Sequence, residues 1–271
     1  MRNAGIYEVL KNRVMIKRKD ILNWPLQFHE HIEVMYMVRG TAKVTIDETE
    51  YTVSDGEFSI AFPFQSHGYE HEGKVDCYFL MFPLTLAPQF EEVFNTRRPQ
   101  SPIFKNDSKD TEHMRKLLEM MIDEYPNVYY KYDTINNDVF RSYIYLFMHS
   151  LLKAVELTDI SSSNLHTLRN ILDYCSKNYR SQIRLSDVAD VLYLSPKYIS
   201  NIFSSKLRIS FLDYINTVRI YETCDMLKST DLTASQIAMD AGFDSLRTFH
   251  RRFKKVVGMT PAEYRKSSKY I

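Results

Sequence analysis

The chain has 271 residues, enough for two domains, and its 44% hydrophobic content and seven glycines indicate a chain that is folded throughout rather than disordered. The net charge of +1 is unevenly distributed: from Leu165 onward 17 Lys and Arg oppose 10 Asp and Glu, a balance of +7, whereas the preceding part has 18 against 24, a balance of −6. A basic C-terminal part favours a polyanionic partner, and an acidic N-terminal part argues against one there.

Cysteine spacing and hydropathy indicate in which cellular compartment the protein is expected. Cys77, Cys175 and Cys224 contain no C-x-x-C pair, so the sequence predicts neither a disulfide framework nor a zinc site. Glu8 and Lys11 lie where a signal peptide needs an apolar segment, and no run of eighteen apolar residues occurs. We expect a soluble, cytoplasmic protein that does not associate with membranes.

Residues 32–82 carry the alternating, β-branched pattern of short strands: IEVMYMV, AKVTI, EYTV, FSIAF and CYFLMF, separated by the turn-like RGT, DET and SDGE. Several short strands at this spacing predict an antiparallel sandwich or barrel. We assign residues 1–107 to this β domain.

From Ser108 the pattern becomes helical. Apolar residues from Met114 to Tyr125 recur at helical spacing until Pro126, and a second helix, residues 137–157, is apolar on most of its circumference. That helix either packs only on the β domain and its partner helix or also forms a homodimer interface. We assign residues 108–157 to this helical hairpin, which is a candidate for dimerisation, 158–164 to a polar linker, and 165–271 to an all-helical domain.

The all-helical domain contains a duplicated unit. Leu185–Phe203 aligns with Ala234–Phe253 at an offset of 49 residues that becomes 50 within a turn. Each copy predicts a short helix, a tight turn and a second helix, with Ser195 followed by Pro196 as one N-cap and Asp244 as the other. Two copies of this pattern predict two helix-turn-helix motifs.

The second helix of each copy has an apolar and a polar side. In the second copy Phe249 and Phe253 share one side, and the cations are on the other. In the first copy Ile199 and Phe203 face inward and Lys197, Ser200 and Asn201 face outward. Such a polar face suits base edges and phosphates in the major groove. A merely solvated cationic face is the alternative, which the duplication, the caps and the domain charge argue against.

A longer helix joins the two copies. Ser210 and Asp213 resemble a capping box, and the apolar stripe after them predicts about 18 residues, or ~27 Å. Successive major grooves on one face of DNA are ~34 Å apart. One chain could therefore reach two adjacent grooves.

Residues 165–266, including AGFDSLRTFHRRFKKVVGMTPAEYRK, resemble the DNA-binding domain of the AraC/XylS family of bacterial transcription regulators. The resemblance implies double-stranded DNA as a partner, a homodimer, and contact with RNA polymerase in an activator. Arg208 departs from the family, which usually has Gly there. For Leu246 and His250, at the edge of the apolar stripe, packing and base contact both stay open. The base-contacting positions that the resemblance implies are Lys197, Ser200, Asn201, Leu246, Arg247, His250 and Arg251.

QFHEHIEVMYMVRG and FPFQSHGYEH, within residues 20–85, resemble the cupin barrel that many such regulators use as an effector pocket. In metal-binding cupins the corresponding pattern holds a metal, but here Gln27 stands where a histidine ligand is usual. A metal set of His29, Glu33 and His67, a polar pocket for an organic effector, and histidines with a structural role all stay open. We expect no cofactor, and the candidate effector residues are His29, Glu33, Tyr36, His67, Tyr69 and Trp24.

Two functions follow from these patterns. The first is an effector-responsive, DNA-binding transcription regulator, an activator by resemblance, with a carbohydrate as the expected effector. The second is a metal-dependent cupin enzyme, such as an isomerase or dioxygenase, with an accessory helical domain; it needs a complete metal site, which Gln27 argues against. We predict the regulator and no enzyme activity.

Overall fold

The computed structural model describes residues 6–7, 13–126, 129–131, 138–160, 163–207 and 209–267. The chain divides into two compact units, Met1–Leu165 and His166–Ile271. The first unit contains the described strands, and the second is helical.

The N-terminal unit is built from short strands, five of which match the alternating sequence segments. Those strands are β1 (Ile6–Tyr7), β2 (Arg13–Lys19), β3 (Trp24–Phe28), β4 (His31–Arg39), β5 (Ala42–Ile46), β6 (Thr49–Val53), β7 (Glu57–Ala61), β8 (His67–His71), β9 (Asp76–Pro83), β10 (Arg97–Pro99), β11 (Ile103–Lys105), β12 (Tyr129–Lys131) and β13 (Leu157–Asp159). They form a five-stranded sheet in the order β1-β3-β8-β5-β6, a six-stranded sheet in the order β11-β7-β4-β9-β2-β12, and the small pair β10-β13.

The two large sheets pack face to face. Their pairing is antiparallel except for β1 with β3, and side chains of both sheets, such as Met35 and Val44, share one buried cluster. The cupin-like antiparallel fold is confirmed, although the strands form two separate sheets rather than one closed barrel. The alternation of side chains along β4 places odd-numbered residues between the sheets and even-numbered residues on the outer face.

Helices cover that outer face of the six-stranded sheet. After α1 (Glu91–Thr96) come α2 (Lys109–Glu124) and α3 (Asp138–Ala154). Ser108 caps α2 in a capping box with Thr111, and buried Leu118 and Phe147 pack with Val34 of β4. The predicted hairpin helices are therefore present, and their apolar stripes face the sheet.

The C-terminal unit is a succession of helices. They are α4 (Ser163–Asn178), α5 (Leu185–Leu192), α6 (Pro196–Ile202), α7 (Phe211–Ser229), α8 (Ala234–Asp240), α9 (Leu246–Val257) and α10 (Pro261–Ser267). Both predicted helix-turn-helix motifs are present as α5-α6 and α8-α9. The joining helix α7 has 19 residues, one more than predicted.

The predicted linker differs from expectation, and one residue singled out in the sequence is not among the described residues. Strand β13 reaches into the predicted linker, because Leu157–Asp159 pairs with Arg97–Pro99. Arg208 lies outside the described residues. All three cysteines are free and buried, and no described helix is long and apolar enough to cross a bilayer.

Candidate DNA-binding surface and effector site

The turn of the first motif uses a left-handed residue. Helix α5 ends at Tyr193, whose φ is 55° and whose side chain is 96% exposed. Ser195 then caps α6 by accepting a hydrogen bond from the Tyr198 amide, and Pro196 is the first helical residue. Ala189 of α5 is 2% exposed. The predicted cap and turn of this copy are confirmed.

The second motif has the same turn with glycine in place of tyrosine. Gly242 has φ 87°, and a Cβ added there would lie 2.4 Å from the Arg180 carbonyl oxygen. The predicted cap Asp244 is wrong by one residue: Ser245 caps α9 by accepting from the Thr248 amide. The Asp244 carboxylate instead accepts a hydrogen bond from Gln182 at 2.6 Å, and this contact draws it away from the helix end.

The polar faces of both recognition helices point to solvent. On α6 and α9, Ile199, Phe249 and Phe253 are fully buried. Leu246, at 42% exposed, and His250 also face solvent rather than the core. The residues on the exposed faces are Lys197, Ser200, Asn201, Leu246, Arg247, His250, Arg251, Lys254 and Lys255. The structure thus presents every predicted base-contacting side chain on a free helix face, with a strong excess of cations on α9.

The helix between the motifs begins as the sequence indicates. Ser210 caps α7 by accepting from the Asp213 amide. The Asp213 carboxylate pairs with Arg252 of α9, so it does not complete the capping box predicted for it. At 1.5 Å per residue the helix is about 28 Å long.

In the N-terminal unit, four of the predicted effector residues meet between the sheets. His29, Glu33, His67 and Tyr69 are each no more than 1% exposed. The Tyr69 hydroxyl donates to Glu33 Oε1 at 2.5 Å, and Glu33 Oε2 lies 3.4 Å from His29 Nε2 and 3.5 Å from His67 Nε2. We call these four residues the buried polar cluster.

Hydrogen bonds set the protonation of the two imidazoles. His67 Nδ1 lies 2.9 Å from the Gln65 carbonyl oxygen, to which it donates, and its Nε2 lies 3.2 Å from Gln27 Nε2. His29 Nδ1 accepts from the His31 amide at 3.3 Å, which leaves the proton of a neutral ring on Nε2. That proton faces Glu33 and His67.

Burial shapes the pKa values of the cluster. Burial lowers the pKa of His29, and the neighbouring His67 lowers it further, so its ring is neutral near pH 7. Burial alone would raise the pKa of Glu33, but the imidazoles and their hydrogen bonds outweigh it and hold that pKa below its ordinary value. Burial and the Glu33 carboxylate raise the pKa of Tyr69. The cluster therefore holds the Glu33 carboxylate beside the neutral imidazole of His29 and the protonated hydroxyl of Tyr69.

The donor set fits a metal ion only in part. The ligand atoms of His29, Glu33 and His67 lie within 4.8 Å of one another, and His67 has the outward Nδ1 donor that a metal-bound histidine usually has. His29 does not, because its Nδ1 accepts a hydrogen bond. Binding a metal through Nε2 would then require an imidazolate. The arrangement is better satisfied as a hydrogen-bonded network than as a metal centre.

The two remaining effector candidates, Tyr36 and Trp24, are not part of the cluster. Tyr36 does not lie beside it: an even-numbered residue of β4, Tyr36 faces the helices, with its ring 4.7 Å from that of Phe58. Trp24 makes edge contacts with Tyr69 at 5.6 Å and Phe79 at 5.0 Å. Lys19 Nζ lies 3.5 Å from the Trp24 ring centroid, and burial lowers the pKa of Lys19 to about 8.

Trp24 and Tyr69 also line an open cleft of about 780 Å³ at the five-stranded sheet. The other lining residues are Asn23, Pro25, Thr41, Ala42, Lys43, Thr52, Glu70, His71 and Glu72. Among its charged groups two carboxylates oppose one ammonium, so the cleft suits a neutral or polyhydroxylated molecule better than an anion. Tyr69 joins this cleft to the buried polar cluster.

Sequence reasoning missed the polar residues of the cleft. Lys43 pairs with both Thr52 and Glu70 in the strand register, so the three side chains form one row on the solvent face. Their polar character at alternate positions was the available signal, but it equally describes an ordinary exposed sheet face.

Comparison with known proteins finds two family models in the chain. Residues 23–83 match the model described as Cupin domain, and residues 188–267 match the model described as Helix-turn-helix domain. The first match contains the buried polar cluster, and the second contains α6 through α10 up to Ser267.

Several curated regulators are similar to the chain. The HTH-type transcriptional regulator YfiF of Bacillus subtilis is 23% identical over 250 residues, which cover 90% of this chain and 79% of YfiF. The Msm operon regulatory protein of Streptococcus mutans is 21% identical over 86% of this chain and 83% of its own length. The melibiose operon regulatory protein of Escherichia coli is 35% identical over 98 residues, which are 36% of this chain and 32% of that protein.

Among solved structures, ToxT of Vibrio cholerae has a similar fold. Its TM-score is 0.57 at 12% identity, covering 96% of this chain and 99% of ToxT. A likeness at this identity concerns the fold alone.

Proposed function

The chain belongs to the AraC family of transcription regulators, and we propose that it binds two adjacent major grooves of promoter DNA through α6 and α9 under the control of a small-molecule effector. The observation that carries this proposal is the pair of capped helix-turn-helix motifs with their predicted contact residues exposed. No enzyme activity is needed to explain the remaining features.

The residue types on the two helices suit different bases. Arg247 and Arg251 on α9 can each make a bidentate contact with guanine, and Asn201 on α6 can do so with adenine. Lys197 and Ser200 reach phosphate or base, and His250 and Leu246 complete the exposed face of α9, Leu246 through a thymine methyl group.

For the effector we propose a carbohydrate that binds in the N-terminal unit. Trp24, which is half-buried, offers aromatic surface at the cleft, and Glu70, His71 and Asn23 offer hydrogen-bonding groups. Regulators of the melibiose and Msm operons are among the similar proteins, which supports this class. The buried polar cluster would then respond to occupancy of the cleft through Tyr69, which lines the cleft and donates a hydrogen bond to Glu33.

A metal-dependent cupin enzyme is the second candidate, favoured by the proximity of His29, Glu33 and His67. The acceptor role of His29 Nδ1 weighs against it. The regulator and the enzyme predict different effects of a sugar and of a chelator on the melting temperature of the purified protein.

The test is the melting temperature of the full-length protein with a panel of neutral sugars, with and without a chelator. A sugar that binds the native state raises it by mass action, and we expect one hit that is indifferent to the chelator. His29→Ala should then retain DNA binding without the sugar and lose the response of DNA binding to the sugar. Destabilisation by the chelator alone would instead support the enzyme. Loss of basal DNA binding in folded His29→Ala would contradict the regulatory role of the cluster.

Homodimerisation through the helical hairpin and activation through RNA polymerase complete the proposal, with the cytoplasm as the place of action. Val139, Met120 and Leu146 are each about half exposed on α2 and α3, and this supports the dimer. Sedimentation equilibrium of wild type and Leu146→Glu tests it: we expect a dimer that dissociates in the variant, and a wild-type monomer at micromolar concentration would contradict it.

A further inference from the structure

Recognition helix α9 is attached at two points to the part of the C-terminal unit that carries the first motif. One attachment lies directly before its N-cap, and the other lies on its second half. Neither uses a residue from the exposed polar face of α9, so both are independent of the DNA contacts proposed above.

The first attachment joins the turn of the second motif to the segment leading into α5. The Gln182 side-chain amide donates to the Gly242 carbonyl oxygen at 3.0 Å and to Asp244 Oδ1 at 2.6 Å. Asp244 precedes the N-cap Ser245, and Gln182 precedes α5. The close approach of Gly242 to the Arg180 backbone, which leaves no room for a Cβ, brings the two segments together.

The second attachment joins the body of α9 to the start of α7. Arg252 Nη1 bonds to Asp213 Oδ1, with the side chains 19% and 40% exposed. Asp213 lies in the first turn of α7, close after the first motif in the chain. A half-buried pair of this kind restricts orientation more than an exposed one because solvent competes with it less.

A buried arginine supports the junction. Arg219 of α7, 5% exposed, donates from Nε to the Tyr179 carbonyl and from Nη2 to the Ser181 carbonyl, each at 2.8 Å. Its guanidinium also lies 5.7 Å from the Phe243 ring centroid. Arg219 thus holds the segment that carries Gln182 against the turn that carries Asp244.

From these contacts we propose that Gln182 and the Asp213–Arg252 pair determine the spacing between the two DNA half-sites. Residues on the exposed faces would select bases, whereas these positioning residues fix how far apart and at what rotation the two recognition helices read them. Long helices curve gently along their length, so two attachments besides α7 restrict the angle between the motifs that α7 joins. The inference rests on the proposed DNA-binding function.

The cost of a wrong spacing is geometric. One inserted base pair rotates the second half-site by about 34° and moves it by about 3.4 Å. A rigid pair of motifs loses contacts on such a site, and we expect wild type to bind it at least about tenfold more weakly, as for one mismatched base pair. A pair of motifs with loosened attachments can adjust, so its penalty should fall below about threefold.

The test is selection of binding sequences from a random duplex library with wild type and the double variant Gln182→Ala/Asp213→Asn. We expect wild type to enrich two sequence blocks at one spacing, and the double variant to enrich the same blocks at two or more spacings. Affinities for the wild-type consensus with one base pair inserted or removed then give the penalty. Asp173→Asn is the matched control, because its partner Lys177 lies one turn along the same exposed helix face; it should behave as wild type.

Two outcomes would overturn the inference. One is an unchanged single spacing with an unchanged penalty in the double variant, which would assign spacing to α7 alone. The other is an equal loss of affinity at every spacing, which would give the attachments a stabilising role only. If the double variant melts well below wild type, Gln182→Ala alone decides between the same outcomes. Enrichment of no sequence by wild type would contradict the proposed function itself.

Discussion

The turns of the two helix-turn-helix motifs predict opposite changes in unfolding free energy for Tyr193→Gly and for Gly242→Ala, which are at corresponding positions. Tyr193 has φ 55° and a fully solvated side chain, and Gly242 has φ 87° beside the Arg180 carbonyl. A non-glycine residue in the left-handed region costs about 1–2 kcal/mol, and glycine costs about 0.5–1 kcal/mol through the entropy of the unfolded chain. Tyr193→Gly should therefore stabilise the C-terminal unit by about 0.5–1 kcal/mol.

Gly242→Ala should destabilise the same unit. The alanine would adopt a left-handed backbone conformation, which costs about 1–2 kcal/mol. Its Cβ would also lie 2.4 Å from the Arg180 carbonyl oxygen. The turn or residue 180 must therefore shift, which costs about 1–3 kcal/mol. Replacing glycine by alanine also lowers the conformational entropy of the unfolded state, which offsets about 0.4–1 kcal/mol of this cost. The expected net loss is about 1–4 kcal/mol.

Urea unfolding of the full-length protein measures both effects. Circular dichroism at 222 nm follows the helices, and the fluorescence of Trp24, the single tryptophan, follows the N-terminal unit and serves as an internal control. We expect the helical transition to move up for Tyr193→Gly and down for Gly242→Ala, while the Trp24 transition stays in place. Destabilisation by Tyr193→Gly, or a neutral Gly242→Ala, would refute the argument that the duplicated turns share one backbone conformation.

Three further predictions concern single side chains. Arg251→Ala should weaken binding to the specific site by about 1–3 kcal/mol and relax one base position, whereas Lys254→Ala should weaken all sequences alike; unchanged affinity and preference in Arg251→Ala would remove it from base recognition. Ser245→Ala should cost about 1 kcal/mol of unfolding free energy through loss of the α9 cap, and a neutral effect in urea titration would show that the cap is not used. Lys19, whose pKa burial lowers to about 8, should be labelled by acetic anhydride with a midpoint near that pH, because only the neutral amine reacts; a midpoint above pH 10 would contradict its burial against Trp24.

Periodicity was sufficient to predict most elements. Strands β4 to β7, strand β9 and both hairpin helices follow from spacing alone, because burial on one face imposes period 2 or 3.6 on the residues. The same parity could have placed Tyr36 correctly, since Glu33 and Tyr36 differ by an odd number and so occupy opposite faces of β4.

Contacts between distant residues could not be predicted from the sequence. Asp244 and Ser245 are equally good N-caps, and the choice depends on Gln182, which lies 62 positions away. The role of His29 depends on the local backbone that turns the His31 amide toward it. The register shift between Trp24 and Gln27, which sets where Trp24 meets Tyr69, likewise has no local sequence signal.

The central claim is sequence-specific DNA binding through α6 and α9, and the most direct measurement is fluorescence anisotropy with two labelled duplexes at physiological salt. One carries the consensus selected by wild type, and the other carries the same bases scrambled. We predict that wild type binds the consensus about 10³-fold or more tightly than the scrambled duplex, and that Arg247→Ala/Arg251→Ala removes most of this ratio while some salt-dependent binding remains. Equal affinity for both duplexes, or a ratio that survives in the double variant, would contradict the account.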